Sequence, residues 1–156
     1  MQLDRIDRKI IAALMEDATV PLARLADSVG LTATPCWKRV QRLTRDGVIR
    51  GRVALVDPER IGLTMTAFVE VSAPDQSEAW RVAFLDLVAD LPEVMDAYQL
   101  SGEPDYVLRV VARDMADFDR IRQVIVSSIP LRGLTTSFAL KTLKSETVLP
   151  LDTRTA

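Results

Sequence analysis

Between Leu22 and Leu43, two stretches of helical periodicity are separated by Gly30 and punctuated by Pro35, and no other part of the chain restricts the fold as tightly. In the first stretch Leu22, Leu25, Ala26 and Val29 recur at helical spacing, with Ala26 small where a partner helix must approach closely. Gly30 tolerates the positive φ that a steep turn between helices needs. Thr32 or Thr34 can cap the next helix, and Pro35 fits only in a first helical turn, so that helix is expected to start between Thr32 and Pro35. Cys36, Val40 and Leu43 then stand at i, i+4 and i+7 and form an inward stripe, which leaves Lys38, Gln41, Arg42 and Arg45 facing out. A charged helix face is most often simply solvated. Here the small residue, glycine turn, capped start and basic face occur in the order of a helix-turn-helix. Arginine and glutamine can also pair with guanine and adenine edges. The expected contacts to double-stranded DNA are Thr34, Lys38, Arg39, Gln41, Arg42, Arg45 and Arg50.

Charge is segregated in the same sense. Residues 1–52 carry ten Lys/Arg against six Asp/Glu, while the remainder carries ten against sixteen, so a chain of net charge −2 keeps a basic end. Between Thr34 and Arg52, Lys38, Arg39, Arg42, Arg45, Arg50 and Arg52 are opposed only by Asp46.

Other function classes are disfavoured by what the chain lacks. It has no histidine, which removes Ser-His-Asp and Cys-His catalysis and most zinc or haem sites. No phosphate-cradling glycine loop occurs, so no nucleotide or other cofactor is expected, and no metal. Asp114, Asp117 and Asp119 open a helical pattern, where carboxylates cap and meet the helix dipole rather than perform acid–base chemistry. The single cysteine, Cys36, reads as a small core residue. No apolar run approaches the ~18 residues that span a bilayer and the first residues lack an export signal. A cytoplasmic protein with no membrane partner is expected.

Around this centre the chain divides into regular pieces. Leu3, Ile6, Ile10, Ile11 and Leu14 predict a first helix that closes a three-helix unit over residues 1–52. Gly47 ends the third helix, and Val48–Val56 alternates toward a strand that is either a wing or a connector. Arg50 and Arg52 on it can touch phosphate or stay solvated. Residues 53–63 read as strand and linker. Residues 64–149 then give strand-like Thr64–Ser72, a helix from Ser77 to Leu91 and strands Val94–Leu100 and Asp105–Ala112. A second helix over Asp114–Ile129 and a last strand over Leu134–Leu143 follow, before a tail of residues 150–156. The order is βαββαβ, so the fold class is α+β: a three-helix (winged) helix-turn-helix domain followed by a ferredoxin-like domain. Tyr106, Leu108 and Val110 share one strand face and Val107 and Val111 the other, while Phe68 opposes Ala67 and Val69. Helices cover only one sheet face, so the second is expected to pack on another subunit, giving an obligate dimer.

Five separated motifs carry a resemblance over nearly the whole length: Leu3-Asp-Arg-Ile-Asp-Arg-Lys-Ile, the run from Leu25 to Leu43, Gly47-Val-Ile-Arg-Gly, Ser101-Gly-Glu-Pro-Asp-Tyr-Val-Leu-Arg-Val, and Ser137-Phe-Ala-Leu-Lys. In this order they resemble the Lrp/AsnC, or feast/famine, transcriptional regulators. The resemblance implies a DNA-binding domain, a regulatory domain that dimerises through its sheet, and assembly into tetramers, octamers or larger rings. It also implies a small effector, usually an amino acid, near the turn after the second strand. In this chain that turn is Ser101–Asp105. Gly102 would let a ligand approach the backbone, Asp105 would receive an α-ammonium group, and Thr135, Thr136 and Ser137 would offer hydroxyls. Gly-Glu-Pro-Asp also makes a good hairpin turn, and Thr and Ser are ordinary strand residues. The connection from Pro130 to Ser137 is slightly shorter than is usual in the family, which shifts the residues that would line an effector pocket. Some haem-pathway decarboxylases resemble the family in both domains, but their chemistry relies on histidine. Regulators that bend DNA without any effector also occur in the family.

Overall fold

The computed structural model describes residues 2–75 and 77–153. The described residues divide into two compact units, one formed by residues 2–55 with 143–153 and the other by Val56–Thr142. The sequence division set residues 53–63 apart as a linker and kept 143–149 with the sheet. By contacts, residues 143–153 group with the helical unit, and the expected 150–156 tail is described only to residue 153.

In the first unit α1 (Arg5–Glu16) begins with a reciprocal cap. The Asp4 carboxylate accepts from the Asp7 N–H at 2.8 Å, and the Asp7 carboxylate accepts from the Asp4 N–H at 3.3 Å. Helix α2 (Leu22–Ser28) stops at Gly30, whose φ of 74° lets the Leu31 N–H reach the Ala26 carbonyl at 2.9 Å and its own N–H reach that of Asp27 at 3.1 Å. Helix α3 (Ala33–Arg45) stops at Gly47, φ 75°, through the equivalent bonds from Val48 to Leu43 and from Gly47 to Thr44. Both ends are Schellman locks, which satisfy carbonyls that the last helical turn would leave open. Thr32 is the N-cap residue of α3 in extended conformation, but its hydroxyl makes no capping bond. The core joins Ile10 and Leu14 of α1, Leu25 and Ala26 of α2, Val29, and Cys36, Val40 and Leu43 of α3. Burial pushes the Cys36 thiol pKa up, as expected of a residue used for packing.

The wing is absent: Val48–Val56 forms no strand. A strand needs a ladder partner, and among the described residues none lies beside it. Ile49 folds back, donating its N–H to the Leu43 carbonyl at 3.0 Å, and Val53 and Leu55 are 82% and 74% exposed.

The second unit is a four-stranded antiparallel sheet of order β2-β3-β1-β4, with β1 Met65–Ser72, β2 Val94–Gln99, β3 Tyr106–Ala112 and β4 Gly133–Phe138. Helix α4 (Glu78–Asp90) follows β1 and α5 (Met115–Ser128) follows β3, giving βαββαβ. Alternation decides the faces. Ala67, Val69 and Val71 of β1 and Tyr106, Leu108 and Val110 of β3 turn toward the helices. There they join Trp80, Phe84, Leu91, Phe118, Ile121, Ile125 and Ile129 in one core. Trp80 stacks on Phe84 at 5.1 Å, both rings contact Tyr106, and the Trp80 indole N–H donates to the Pro130 carbonyl at 2.7 Å. Strand β4 is shorter than expected. Its last ladder bond runs from the Ala139 N–H to the Thr66 carbonyl, and because β1 begins at Met65, no strand among the described residues lies beside residues 141–143.

Candidate nucleic-acid interface and ligand-binding region

The α3 surface separates the expected DNA contacts into two groups. Thr34, Lys38, Gln41 and Arg45 are exposed along one stripe, as the inward packing of Cys36, Val40 and Leu43 requires. Lys38 has no ion-pair partner among the described residues, and Arg45 leans on Asp46 next to it at 3.0 Å. Arg50 is exposed beyond the helix. Trp37 belongs to the same stripe and is 49% exposed. Sequence reasoning passed over it, although its spacing from Thr34 and Gln41 (i−3, i+4) was sufficient to place it there.

Arg39 and Arg42 form the second group and turn toward α1. The Asp7 side chain is only 1% exposed, and its two oxygens meet the two guanidiniums. Arg39 Nη1 lies 2.8 Å from Oδ1, and Arg42 Nη2 lies 2.5 Å from Oδ2. Arg39 Nη1 also donates to Asp4 at 2.6 Å. These carboxylates raise the Arg39 pKa, Asp4 most. The Asp4 carboxyl in turn is held below its ordinary value, first by the Asp7 N–H of the helix cap. The sequence offered no sign of this, because Asp7 lies 32 and 35 residues from its two partners.

In the sheet unit the five expected effector residues do not form one cluster. Gly102 lies in the turn between β2 and β3, which is closed by the Leu100 N–H donating to the Asp105 carbonyl at 2.8 Å. A side chain at Gly102 would meet open space, so the turn itself does not require glycine there. The Asp105 carboxylate accepts from the Ala73 N–H at 2.8 Å and lies 3.6 Å from Arg132 Nη2, so it already holds the end of β1 and the start of β4. Thr135 and Ser137 are exposed and paired in register with Glu70 and Phe68, on the face away from the helices. Thr136 pairs with Val69, and its hydroxyl is buried on the helix side without a partner. The sequence did not single out Arg132. It joins the turn to the strand by reaching Glu103 at 3.0 Å as well as Asp105.

The open sheet face carries Phe68, Val107 and Tyr98 around a shallow depression of about 230 Å³, walled on one side by the ion-paired Asp96 and Arg109. No helix among the described residues is long and apolar enough to cross a membrane.

Residues 3–44 match the AsnC-type helix-turn-helix domain, and residues 66–149 match the Lrp/AsnC ligand binding domain. The chain belongs to the Lrp/AsnC family. It is similar to the DNA-binding transcriptional activator DecR of Escherichia coli K12, with 45% identity over 96% of this chain and 99% of that one. It is also similar to the glutamate uptake regulatory protein of Zymomonas mobilis, with 39% identity over 96% and 92%. An AsnC family transcriptional regulator from Agrobacterium tumefaciens superposes with a TM-score of 0.89 at 43% identity, covering 94% of this chain and 96% of that one. A Neisseria meningitidis transcriptional regulator in complex with L-methionine gives a TM-score of 0.89 at 33% identity, covering 96% and 97%. Like these relatives, this Lrp/AsnC protein is a DNA-binding transcriptional regulator with a ligand-binding domain.

Proposed function

We propose that the chain works in the cytoplasm as a homodimer that inserts its two α3 helices into successive major grooves, and that an amino acid changes how the dimers assemble. The observation that carries this reading is the exposed stripe Thr34, Trp37, Lys38, Gln41 and Arg45 on a helix locked at its C-terminal end and packed through its opposite face. Lysine and glutamine there reach base edges and phosphates, and Arg50 adds a further cation for the backbone. Two copies related by a two-fold axis would read half-sites about one helical turn, roughly 34–36 Å, apart.

The open sheet face supplies the dimer surface. Phe68 and Tyr98 are exposed there beside Val107, an apolar patch that a second copy would cover, and Asp96 and Arg109 are already paired, so burial strands neither charge. Tetramers or octamers built from such dimers are the assemblies an effector would shift. The methionine complex of the Neisseria relative and the glutamate-uptake role in the name of the Zymomonas relative support an amino acid as that effector. The turn with Gly102 and Asp105, joined by Arg132 to the connection before Thr135 and Ser137, is the region proposed to receive it. Arg132 offers a cation for an α-carboxylate. The ligand must favour one assembly over another, since equal affinity shifts nothing.

The test is a titration of protein onto duplex DNA from upstream of its own gene against a scrambled fragment, at several salt concentrations, with and without methionine, glutamate and branched-chain amino acids. Preference for the native fragment, with log affinity falling about 0.9 per neutralised phosphate for each log unit of salt, is the expected result. A Lys38→Ala, Gln41→Ala double variant that binds like wild type overturns the α3 assignment. Sedimentation of Phe68→Asp as a dimer indistinguishable from wild type overturns the dimer surface.

A further inference from the structure

We infer that Asp7 is a specificity-determining residue that acts by withholding the guanidiniums of Arg39 and Arg42 from the DNA backbone, and this rests on the reading of α3 as the DNA-facing helix. Asp7 is buried, and a buried carboxylate is tolerated only where its oxygens are paired. Oδ1 takes Arg39, and Oδ2 takes Arg42 and the Asp4 N–H. Asp4 holds Arg39 a second time.

Each guanidinium is thereby drawn in. The Arg39 and Arg42 side chains are 27% and 40% exposed, against 76% for Arg45, and the Arg42 Nε is buried with no partner at all. Moving either arginine out to a phosphate would strip one oxygen of a buried carboxylate of its charge partner. A phosphate contact at the solvated rim of an interface does not compensate for that loss.

The consequence is a division of labour on one helix. Phosphate contacts carry no sequence information, whereas contacts to base edges do. With Arg39 and Arg42 committed inward, fewer indiscriminate cations face the duplex, and Thr34, Trp37, Lys38 and Gln41 carry a larger share of the binding free energy. The same pairs fix the rotation of α3 against α1, which sets where that stripe points.

The experiment uses the full-length protein, a scrambled duplex and the duplex from upstream of its own gene, with affinity measured over a salt series and folding followed by thermal melting. Asp7→Asn releases Arg42 and leaves Arg39 with Asp4 alone. It is expected to bind the scrambled duplex more tightly, with a salt slope steeper by roughly 0.9–1.8. The ratio of affinities for the two duplexes is expected to fall about tenfold, the effect of one poorly seated base pair. A residue with only a structural role would lower the melting temperature and leave the slope alone, and that result overturns the inference.

Arg42→Gln tests the same point without depending on the stability of the first variant. Its slope is expected to equal that of wild type, and a slope shallower by about 0.9 shows Arg42 on a phosphate and overturns the inference. Combining Asp7→Asn with Arg42→Gln removes both sides of one pair and is expected to have a shallower slope than Asp7→Asn alone. Equal slopes contradict release of Arg42. A wild-type protein that binds neither duplex sinks the interface reading itself and this inference with it, an outcome distinct from every slope result.

Discussion

The two units open a helix with the same pair of aspartates and use the result differently. Only α1 has the return bond, since the Asp117 carboxylate accepts from the Arg113 N–H rather than from Asp114. Asp4 and Asp7 stand at the N-cap and third position of α1, and Asp114 and Asp117 at the same positions of α5, with the cap carboxylate in each case accepting from the N–H three residues on. In both helices the third-position carboxylate is buried and meets two arginines. Those of Asp117 are its sequence neighbours, Arg113 at i−4 and Arg120 at i+3, and both remain more than half exposed. Those of Asp7 come from α3, across the unit, and are drawn inward. The same local motif therefore staples one helix end in the sheet unit, whereas in the helical unit it joins two helices.

The largest effect is expected from Asp7→Ala, which removes the shared partner of Arg39 and Arg42. Because both guanidiniums are partly exposed and Arg39 keeps Asp4, the cost to the helical unit should be about 2–3 kcal/mol. Urea unfolding followed through Trp37 fluorescence in a Trp80→Phe background checks it. A loss under 1 kcal/mol would mean that the pair does not join α1 to α3, and the contrast with Asp117 would collapse. Gly30→Ala should follow at about 1–2 kcal/mol in the same assay. Its φ of 74° strains any residue with a Cβ, although the space around it is open, so the cost would be backbone strain rather than a clash.

Asp117→Asn sharpens the comparison through pH. The Asp117 carboxyl is held far below the ordinary carboxylate range, by hydrogen bonds from the Arg113 side chain first, then the Arg113 N–H and Arg120. A depressed folded-state pKa adds stability that is fully present above the unfolded value near 3.9 and is lost as pH falls through the folded one. Wild type should therefore lose melting temperature steeply below about pH 4, and Asp117→Asn should melt lower at neutral pH but flatten that acid limb. Parallel curves for the two proteins would show that the arginines give the carboxylate nothing.

Signals carried by neighbours in the chain were the ones the sequence made legible. Cys36, Val40 and Leu43 pack inward as their spacing requires, Gly30 and Gly47 stop their helices, and the βαββαβ order follows from period and punctuation. The Asp7 pairs were hidden because an outward position on a helix wheel shows only that a side chain leaves its own core, and Arg42 leaves it in the direction of α1. Val48–Val56 misled in the opposite sense, since alternation describes a residue's fit to a sheet and says nothing of whether a neighbouring strand exists. The effector residues were placed by resemblance alone. The register of β4 then separates Thr136 from Thr135 and Ser137, and Asp105 is already engaged by Ala73 and Arg132.

The smallest contrast lies at two other helix starts. Ser77 caps α4, its hydroxyl accepting from the Trp80 N–H at 3.3 Å, whereas Thr32 stands at the start of α3 and makes no such bond. Ser77→Ala should cost about 1 kcal/mol, while Thr32→Ala should stay within about 0.5 kcal/mol. An α3 start without a side-chain cap leaves its first N–H groups open to an anion, as helix N-termini accept phosphate. If Thr32→Ala is neutral for stability and also for DNA affinity, the start of α3 depends on packing and on Pro35 alone. If it is neutral for stability but weakens DNA binding, the hydroxyl is kept for the duplex, and the exposed end of α3 joins Lys38 and Gln41 as part of the interface.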